Sequence, residues 1–128
     1  MDTAPAPLVS HLRAIQKDGN LPPWNRWWPK ETLEAMLPDA QIREAFIADL
    51  PLVPMSYFEE HIPDIALSAG LPCGYLQWSN GYADEAQTAR DLGWPCERLA
   101  LDHLAMLSDP EIVVAALQSM TRKIGMAS

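Results

Sequence analysis

The chain has 128 residues, 48% of them hydrophobic, and a formal net charge of −8 at pH 7. A chain of this length fits one domain that buries its own core. The acidic balance argues against binding nucleic acid or an anionic membrane surface, because both need a basic face, and no run of residues approaches the ~18 apolar positions of a membrane span. The first residues show neither the basic nor the apolar region of a signal peptide, so we expect a cytoplasmic protein.

Residues 1–29 form a lead-in rich in proline and tryptophan. Apolar residues at helical spacing predict a short first helix, namely Leu8, Leu12 and Ile15. The run Asp18-Gly19-Asn20 then predicts a turn. Residues 21–29 hold too much proline for a regular element.

The tryptophans of this lead-in allow two interpretations. Trp24, Trp27 and Trp28, together with Tyr57, could line a pocket for a small apolar ligand. They could equally form a hydrophobic plug that closes the domain or contacts a partner. Tryptophans beside prolines pack structurally more often than they bind ligands, so the plug is the favoured interpretation.

Residues 30–62 are predicted to form short helices separated by prolines, which together would make one layer. The predicted helices cover residues 31–37, 40–50 and 55–61. Asp39 is the expected N-cap of the second helix, whose Ile42, Phe46 and Leu50 fall on one stripe. A loop over residues 63–72 follows, rich in proline, glycine and small residues.

From Cys73 the pattern changes to a β-α-β-α unit over residues 73–125. Strands are predicted at 74–78 and 96–101, with a helix at 83–92 that ends at Gly93. Asp109 and Pro110 predict the N-cap and first turn of a final helix. The apolar residues expected on the buried face of that helix are Ile112, Val113, Ala116, Leu117 and Met120. A strand, a crossover helix and a second strand predict parallel pairing and an α/β fold class.

Two strands are few for a parallel sheet, because their outer edges leave backbone groups unpaired. We therefore expect the chain to self-associate as a homo-oligomer or to be completed by a complementary chain. Cys73 and Cys96 are interpreted as buried thiols rather than as a disulfide, since the chain reads as cytosolic.

The order of these pieces resembles the C-terminal half of α/β-hydrolase family proteins. The segments that carry the resemblance are Trp24–Trp28, Leu50–Pro54, Tyr57–Glu60, Pro72–Leu76, Gly93–Pro95 and His103–Leu107. The resemblance implies a partial α/β-hydrolase-like fold, in which residues 30–62 are the helical cap and the two strands are the last two of the sheet. It also implies that His103, which follows the last strand, matches the catalytic base of the family.

The rest of a catalytic triad is matched less closely. The Gly-x-Ser-x-Gly nucleophile elbow of the family lies before the cap, where this chain has only about twenty residues. Ser68, in Ala66-Leu-Ser68-Ala-Gly70, mimics an elbow without the strand that should precede it, and is otherwise a turn residue. Asp84 could orient His103 as the acid, or lie solvated in the first turn of its helix. His103 could itself be a hydrogen-bonded residue at a strand end rather than a base.

Two functions follow from the sequence. The first is the cap-and-base half of an ester or amide hydrolase, which would be catalytic only with the missing half supplied. The alternative is a non-catalytic module that binds a small ligand or a protein partner. No metal-ligand spacing and no phosphate-binding glycine loop are present, so we expect neither a metal nor a cofactor. If the hydrolase resemblance holds, His103 should face a cleft between the carboxyl edge of the sheet and the layer of Trp24–Trp28.

Overall fold

A computed structural model of the chain describes residues 4–62 and 70–125. Two compact units make up the chain, Met1–Ile65 and Ala66–Ser128. The described part of the first unit is helical, and that of the second holds a two-stranded sheet, so the fold as a whole is mixed α/β. In neither described range is there a helix long and apolar enough to cross a bilayer.

The first unit consists of short helices, as the proline spacing predicts. They are α1 (Ala6–Ile15), α2 (Lys30–Met36), α3 (Ala40–Ala48) and α4 (Ser56–Glu59), with a single 3-10 turn at Trp24–Arg26 in the proline-rich stretch. The N-cap prediction is confirmed, because Asp39 Oδ1 accepts hydrogen bonds from the backbone N–H groups of Gln41 (2.9 Å) and Ile42 (3.0 Å). The last helix is only one turn long, against the seven residues expected, because the backbone turns extended at Glu60, with a ψ of 151°.

A tight turn after α1 folds the chain back toward α4. Lys17 and Asn20 exchange two backbone hydrogen bonds, of 2.8 and 3.0 Å. Asp18 and Gly19 between them both have positive φ, 51° and 81°, which is the geometry of a type I′ turn. Asn20 also forms an antiparallel bridge with Pro54, so the predicted turn pairs with the chain just before α4.

The core of the first unit lies between α1, the turn and α4. Its buried members are Leu12, Leu21, Trp27 and Met55, against which Leu8, Val9, Ile15, Trp24 and Phe58 pack. The expected apolar stripe of α3 lies outside this core. Ile42 on that stripe is exposed, and α3 contributes no buried residue.

The second unit is a parallel β-α-β arrangement with a final long helix, as predicted. Its elements are β1 (Tyr75–Gln77), α5 (Ala83–Asp91), β2 (Cys96–Arg98), α6 (Ala105–Ser108) and α7 (Pro110–Lys123), with a 3-10 turn at Asn80–Tyr82. The strands pair in parallel, with Tyr75 opposite Cys96 and Gln77 opposite Arg98. The one-turn helix α6 was not expected from the sequence. Within the described residues β1 and β2 pair only with each other, so completion of their outer edges by another chain stays a prediction.

Helix α5 ends at Gly93, as the sequence predicts. Gly93 has a φ of 76°, its N–H donates to Arg90 O, and the N–H of Trp94 donates to Ala89 O. These two bonds make a Schellman motif, which satisfies carbonyls that the helix leaves unpaired and turns the chain into β2. Ala86 and Ala89 are buried, whereas Leu92, which lies at the C-cap position, is exposed.

The predicted buried face of α7 needs correction. Val113, Ala116 and Met120 are buried, whereas Ile112 and Leu117 are about half exposed. Residues three and four apart share a helix face, so the buried stripe 113-116-120 leaves positions 112 and 117 on its flanks. The capping prediction is also corrected. Asp109 occupies the N-cap position, but its carboxylate accepts from the Ser108 hydroxyl (2.7 Å) and caps no backbone N–H.

Candidate functional site: the carboxyl edge of the sheet

Backbone pairing continues past the last residue of each strand. The N–H of Leu99 donates to Gln77 O (2.8 Å), and the N–H of Leu101 donates to Trp78 O (3.2 Å). The chain segments after β1 and β2 therefore leave the sheet side by side. In open α/β sheets this carboxyl edge is where ligands bind, because side chains released from the packed strands meet there.

A cavity of about 460 Å³ opens at this edge, a volume in the range of small-molecule sites. Three short segments supply its walls: the turn after β1, the segment after β2, and the junction of α6 and α7. The lining residues are Trp78, Ser79, Asn80, Arg98, Leu99, Ala100, Leu101, Asp102, Ser108 and Asp109. Hydroxyls, an amide, a guanidinium and carboxylates thus converge on one space, beside an indole and two leucines.

Two hydrogen bonds hold the turn after β1 in place. The buried Gln77 side chain donates from Nε2 to the backbone oxygen of Ser79 (3.0 Å). The Arg98 guanidinium donates to Asn80 Oδ1, which ties the end of β2 to the turn. Both bonds fix the walls of the cavity, because each links a strand residue to the segment that leaves the sheet.

The cavity carries charges of both signs that do not neutralise each other. Arg98 is positive, while Asp102 and Asp109 are negative at neutral pH. Among the described residues Arg98 forms no ion pair with either carboxylate, and Asn80 is its hydrogen-bond partner. An arginine has five N–H donors, and the bond to Asn80 uses one of them.

His103 lies next in the chain after the cavity residue Asp102, and its ring is half buried. The imidazole stacks on the ring of Tyr82, with centroids 5.6 Å apart and planes 15° from parallel. Sequence reasoning singled out the histidine but missed the tyrosine. Each ring lies five residues past the last residue of its strand, Gln77 or Arg98, and this equal spacing was a signal that could have found the pair.

The other predicted triad members are not brought to this stack by any described contact. Asp84 is exposed in the first turn of α5, and its backbone oxygen accepts from the Thr88 hydroxyl (3.0 Å). This placement is the solvated first-turn position that acidic residues favour. Ser68 lies outside the described residues, so its assignment as nucleophile stays a prediction.

The predicted pocket tryptophans pack largely against other rings of the first unit. Trp27 is buried, its indole N–H donates to Pro22 O (2.6 Å), and its ring meets Phe58 edge-on at 5.4 Å. Trp24 meets Phe46 edge-on at 5.9 Å. Trp28 stacks on His11 at 5.1 Å, and the same imidazole hydrogen-bonds through Nε2 to Trp27 O (2.7 Å).

Tyr57, the fourth predicted pocket residue, is 59% exposed and meets Phe58 edge-on. Two open cavities of the first unit are lined by α1 and α4 residues, and neither lining includes Tyr57 or the three tryptophans. These contacts describe aromatic packing. A ligand pocket at Trp24, Trp27, Trp28 and Tyr57 stays a prediction.

The remaining reactive groups form no further centre in the described part of the chain. No cluster of three histidine, cysteine or acidic side chains there is arranged to hold a metal ion. Cys73 and Cys96 are both free thiols, and each is half buried rather than fully buried as expected. Burial raises the pKa of the Tyr75 hydroxyl above its ordinary value, and the Glu85 carboxylate raises it further.

Comparison of the chain with protein-family models, with curated proteins and with solved structures finds no match in any of the three. The function is therefore inferred from the residues of the chain and from their arrangement.

Proposed function

We propose that the chain is a binding protein without catalytic activity of its own, and that the cavity at the carboxyl edge of β1 and β2 is its ligand site. The observation that carries the proposal is the convergence of charged, hydroxyl and amide side chains on one cavity of about 460 Å³. Six of the ten lining residues are polar or charged, which favours a small polar ligand that makes hydrogen bonds to them.

The position of the cavity supports the same function. The carboxyl ends of parallel strands lie at the same edge of a sheet. Among the described residues, the bond from Leu101 N–H to Trp78 O is the last backbone hydrogen bond between the segments that follow β1 and β2. The Arg98 to Asn80 and Gln77 to Ser79 bonds then fix that edge before any ligand arrives. A prearranged site loses less conformational entropy on binding than a site that must first be ordered.

Filling the cavity should abolish ligand binding while leaving the fold intact. We expect small polar molecules, screened at millimolar concentration by ¹H–¹⁵N NMR, to shift the amide signals of Ser79, Asn80 and Leu101. Ala100→Trp, at an exposed lining position, should remove those shifts. The matched control is Ala115→Trp, on the exposed side of α7, which should leave them unchanged. Shifts that survive Ala100→Trp, or that appear only elsewhere, would overturn the assignment.

A second candidate function is the base-bearing half of an α/β-hydrolase-like enzyme that needs a complementary chain. The observation that favours it is the place of His103, directly after the cavity segment of β2 and half buried against Tyr82. An imidazole exchanges protons near neutral pH, which suits a general base. On this proposal the nucleophile elbow and its strand come from the complementary chain.

Both candidates predict that the isolated chain does not turn over simple esters. We expect its rate on p-nitrophenyl acetate and butyrate to rise linearly with substrate concentration, without saturation, at the slow level of free imidazole, because no positioned nucleophile acts with His103. The release of p-nitrophenolate measures this directly. Turnover that is lost in both His103→Ala and Ser68→Ala would instead show a working triad within this chain, and the proposal of a non-catalytic protein would be wrong.

A further inference from the structure

We infer that the ligand of the carboxyl-edge cavity is a small zwitterion, of which a free α-amino acid with an apolar side chain is the simplest case. This inference rests on the proposed function, since it names the ligand class of the same site. The juxtaposition that carries it is one cavity lined by Arg98 and Asp102, with Trp78, Leu99 and Leu101 also among its lining residues.

The positive and negative side chains of the cavity are not paired with each other. Arg98 and Asp102 are both exposed, and an exposed ion pair gains little over two solvated charges, so the two groups can stay apart. Here the guanidinium is turned to Asn80 Oδ1, and it forms no ion pair with Asp102 or Asp109 among the described residues. The cavity therefore presents a cation and anions separately to whatever enters it.

Arg98 is suited to a carboxylate. The planar guanidinium offers several N–H groups in a fork that matches two carboxylate oxygens. Its hydrogen bond to Asn80 uses one of those donors. A ligand carboxylate at this point would gain charge-assisted hydrogen bonds, which are stronger than neutral ones.

Asp102 is the partner for an ammonium group. Asp109 already accepts from the Ser108 hydroxyl, whereas no hydrogen bond or ion pair involves the side chain of Asp102 in the described residues. A carboxylate offers only acceptors, and because Asp102 is exposed its oxygens are accessible to a ligand amine. The leucines and the indole then provide apolar contact for the remainder of the ligand.

Ligands of a single charge satisfy this cavity less well. An anion would meet Arg98 but would lie beside two carboxylates, and a cation would meet Asp102 beside an unpaired guanidinium. Like charges placed close together are repulsive, and this repulsion is how sites reject wrong ligands. The mixed lining thus selects for molecules that carry both charges.

The test uses three probes of one shape on the whole chain: L-leucine, isoamylamine, which lacks the carboxylate, and 4-methylpentanoate, which lacks the amine. We expect NMR titration to show leucine binding at least tenfold more tightly than either single-charge probe, since hydrogen bonds to charged groups typically contribute this much. The amide signals of Asn80 and Leu101 would report on occupancy of the cavity.

Two variants test which residue binds the carboxylate of the ligand and which binds its ammonium group. Arg98→Met should weaken leucine about tenfold or more without weakening isoamylamine, and Asp102→Asn should weaken leucine without weakening 4-methylpentanoate. Arg98→Lys keeps the charge and should retain part of the affinity. Matched controls lie on α5, where Arg90→Met and Asp91→Asn remove exposed side-chain groups that, in the described part of the chain, are hydrogen-bonded to Gln87.

The outcomes separate this inference from the proposed function. If all three probes bind equally, or if a single-charge probe binds most tightly, the zwitterion is wrong and the ligand site stands. The zwitterion is also wrong if leucine does not bind while other molecules shift the same cavity signals. If no small molecule of any class perturbs the cavity, both the inference and the proposed site fail.

Discussion

Replacement of Trp27 by alanine should unfold the first unit. Trp27 is the largest side chain of its core, and the indole contacts Phe58 edge-on while its N–H donates to Pro22 O. Truncation of a buried tryptophan typically costs about 3–5 kcal/mol, because the lost transfer energy is joined by a cavity that neighbours do not fill. The core of a unit as small as Met1–Ile65 rarely supplies more than about 3–5 kcal/mol, so this loss is about as large as the stability of the unit.

The neighbouring tryptophan provides the matched control. Trp28 is 37% exposed and makes one stacking contact with His11, so Trp28→Ala should cost about 1 kcal/mol, in the range of a single aromatic pair. Urea titration of the whole chain, with NMR signals of Leu12 and Leu21 as reporters of the first unit, measures both. Equal costs for the two variants would show that Trp27 is not the centre of this core.

The helix boundaries were predictable because their signals are local. Asp39 caps α3, Gly93 ends α5 in the left-handed region, and Pro110 begins α7. Each works through backbone groups within a few residues, so no knowledge of distant contacts is needed. The turn at Asp18 and Gly19 belongs to the same class, because short polar residues and glycine tolerate positive φ.

Burial was less predictable, because periodicity identifies a helix without giving its rotation against the sheet. In α7 the apolar residues cover more than one face, and only tertiary packing decides that Val113 is buried while Ile112 and Leu117 are exposed. Helix α6 was missed for a related reason. A four-residue turn is too short to show a period, so tertiary contacts rather than sequence pattern decide whether it forms.

In the candidate site too, features set by the local sequence were predictable, and features set by distant contacts were not. His103 was singled out because it follows a strand, which the sequence reveals. Arg98 and Asn80 lie 18 residues apart and meet through their side chains, at an edge where β1 and β2 pair in one particular register. A shift of that register by one residue would turn Arg98 to the other face of the sheet. The cavity lining therefore could not be read before the pairing was known.

The second large effect is expected at Gly74, where α7 packs against the start of β1. A Cβ added at this glycine would lie 2.9 Å from Met120 Cγ and 3.0 Å from Ile124 Cγ2, and closer still to Met120 Sδ. Met120 is buried, so its side chain has little space into which it can move. Overpacking of this kind usually costs about 1–3 kcal/mol, and Gly74→Ala should lower the stability of the second unit by that amount.

A glycine in open space is the control, together with a variant that relieves the clash. Gly81→Ala meets nothing within 4 Å and should change stability by less than about 0.5 kcal/mol. Met120→Ala alone should be destabilising, because it leaves a cavity. Combined with Gly74→Ala it should cost less than the sum of the two, since the new methyl group occupies part of that cavity. Thermal unfolding of the four variants, with the amide signals of Tyr75 and Leu76 reporting on β1, measures the coupling. Strict additivity would mean that close packing of α7 on Gly74 does not stabilise this unit.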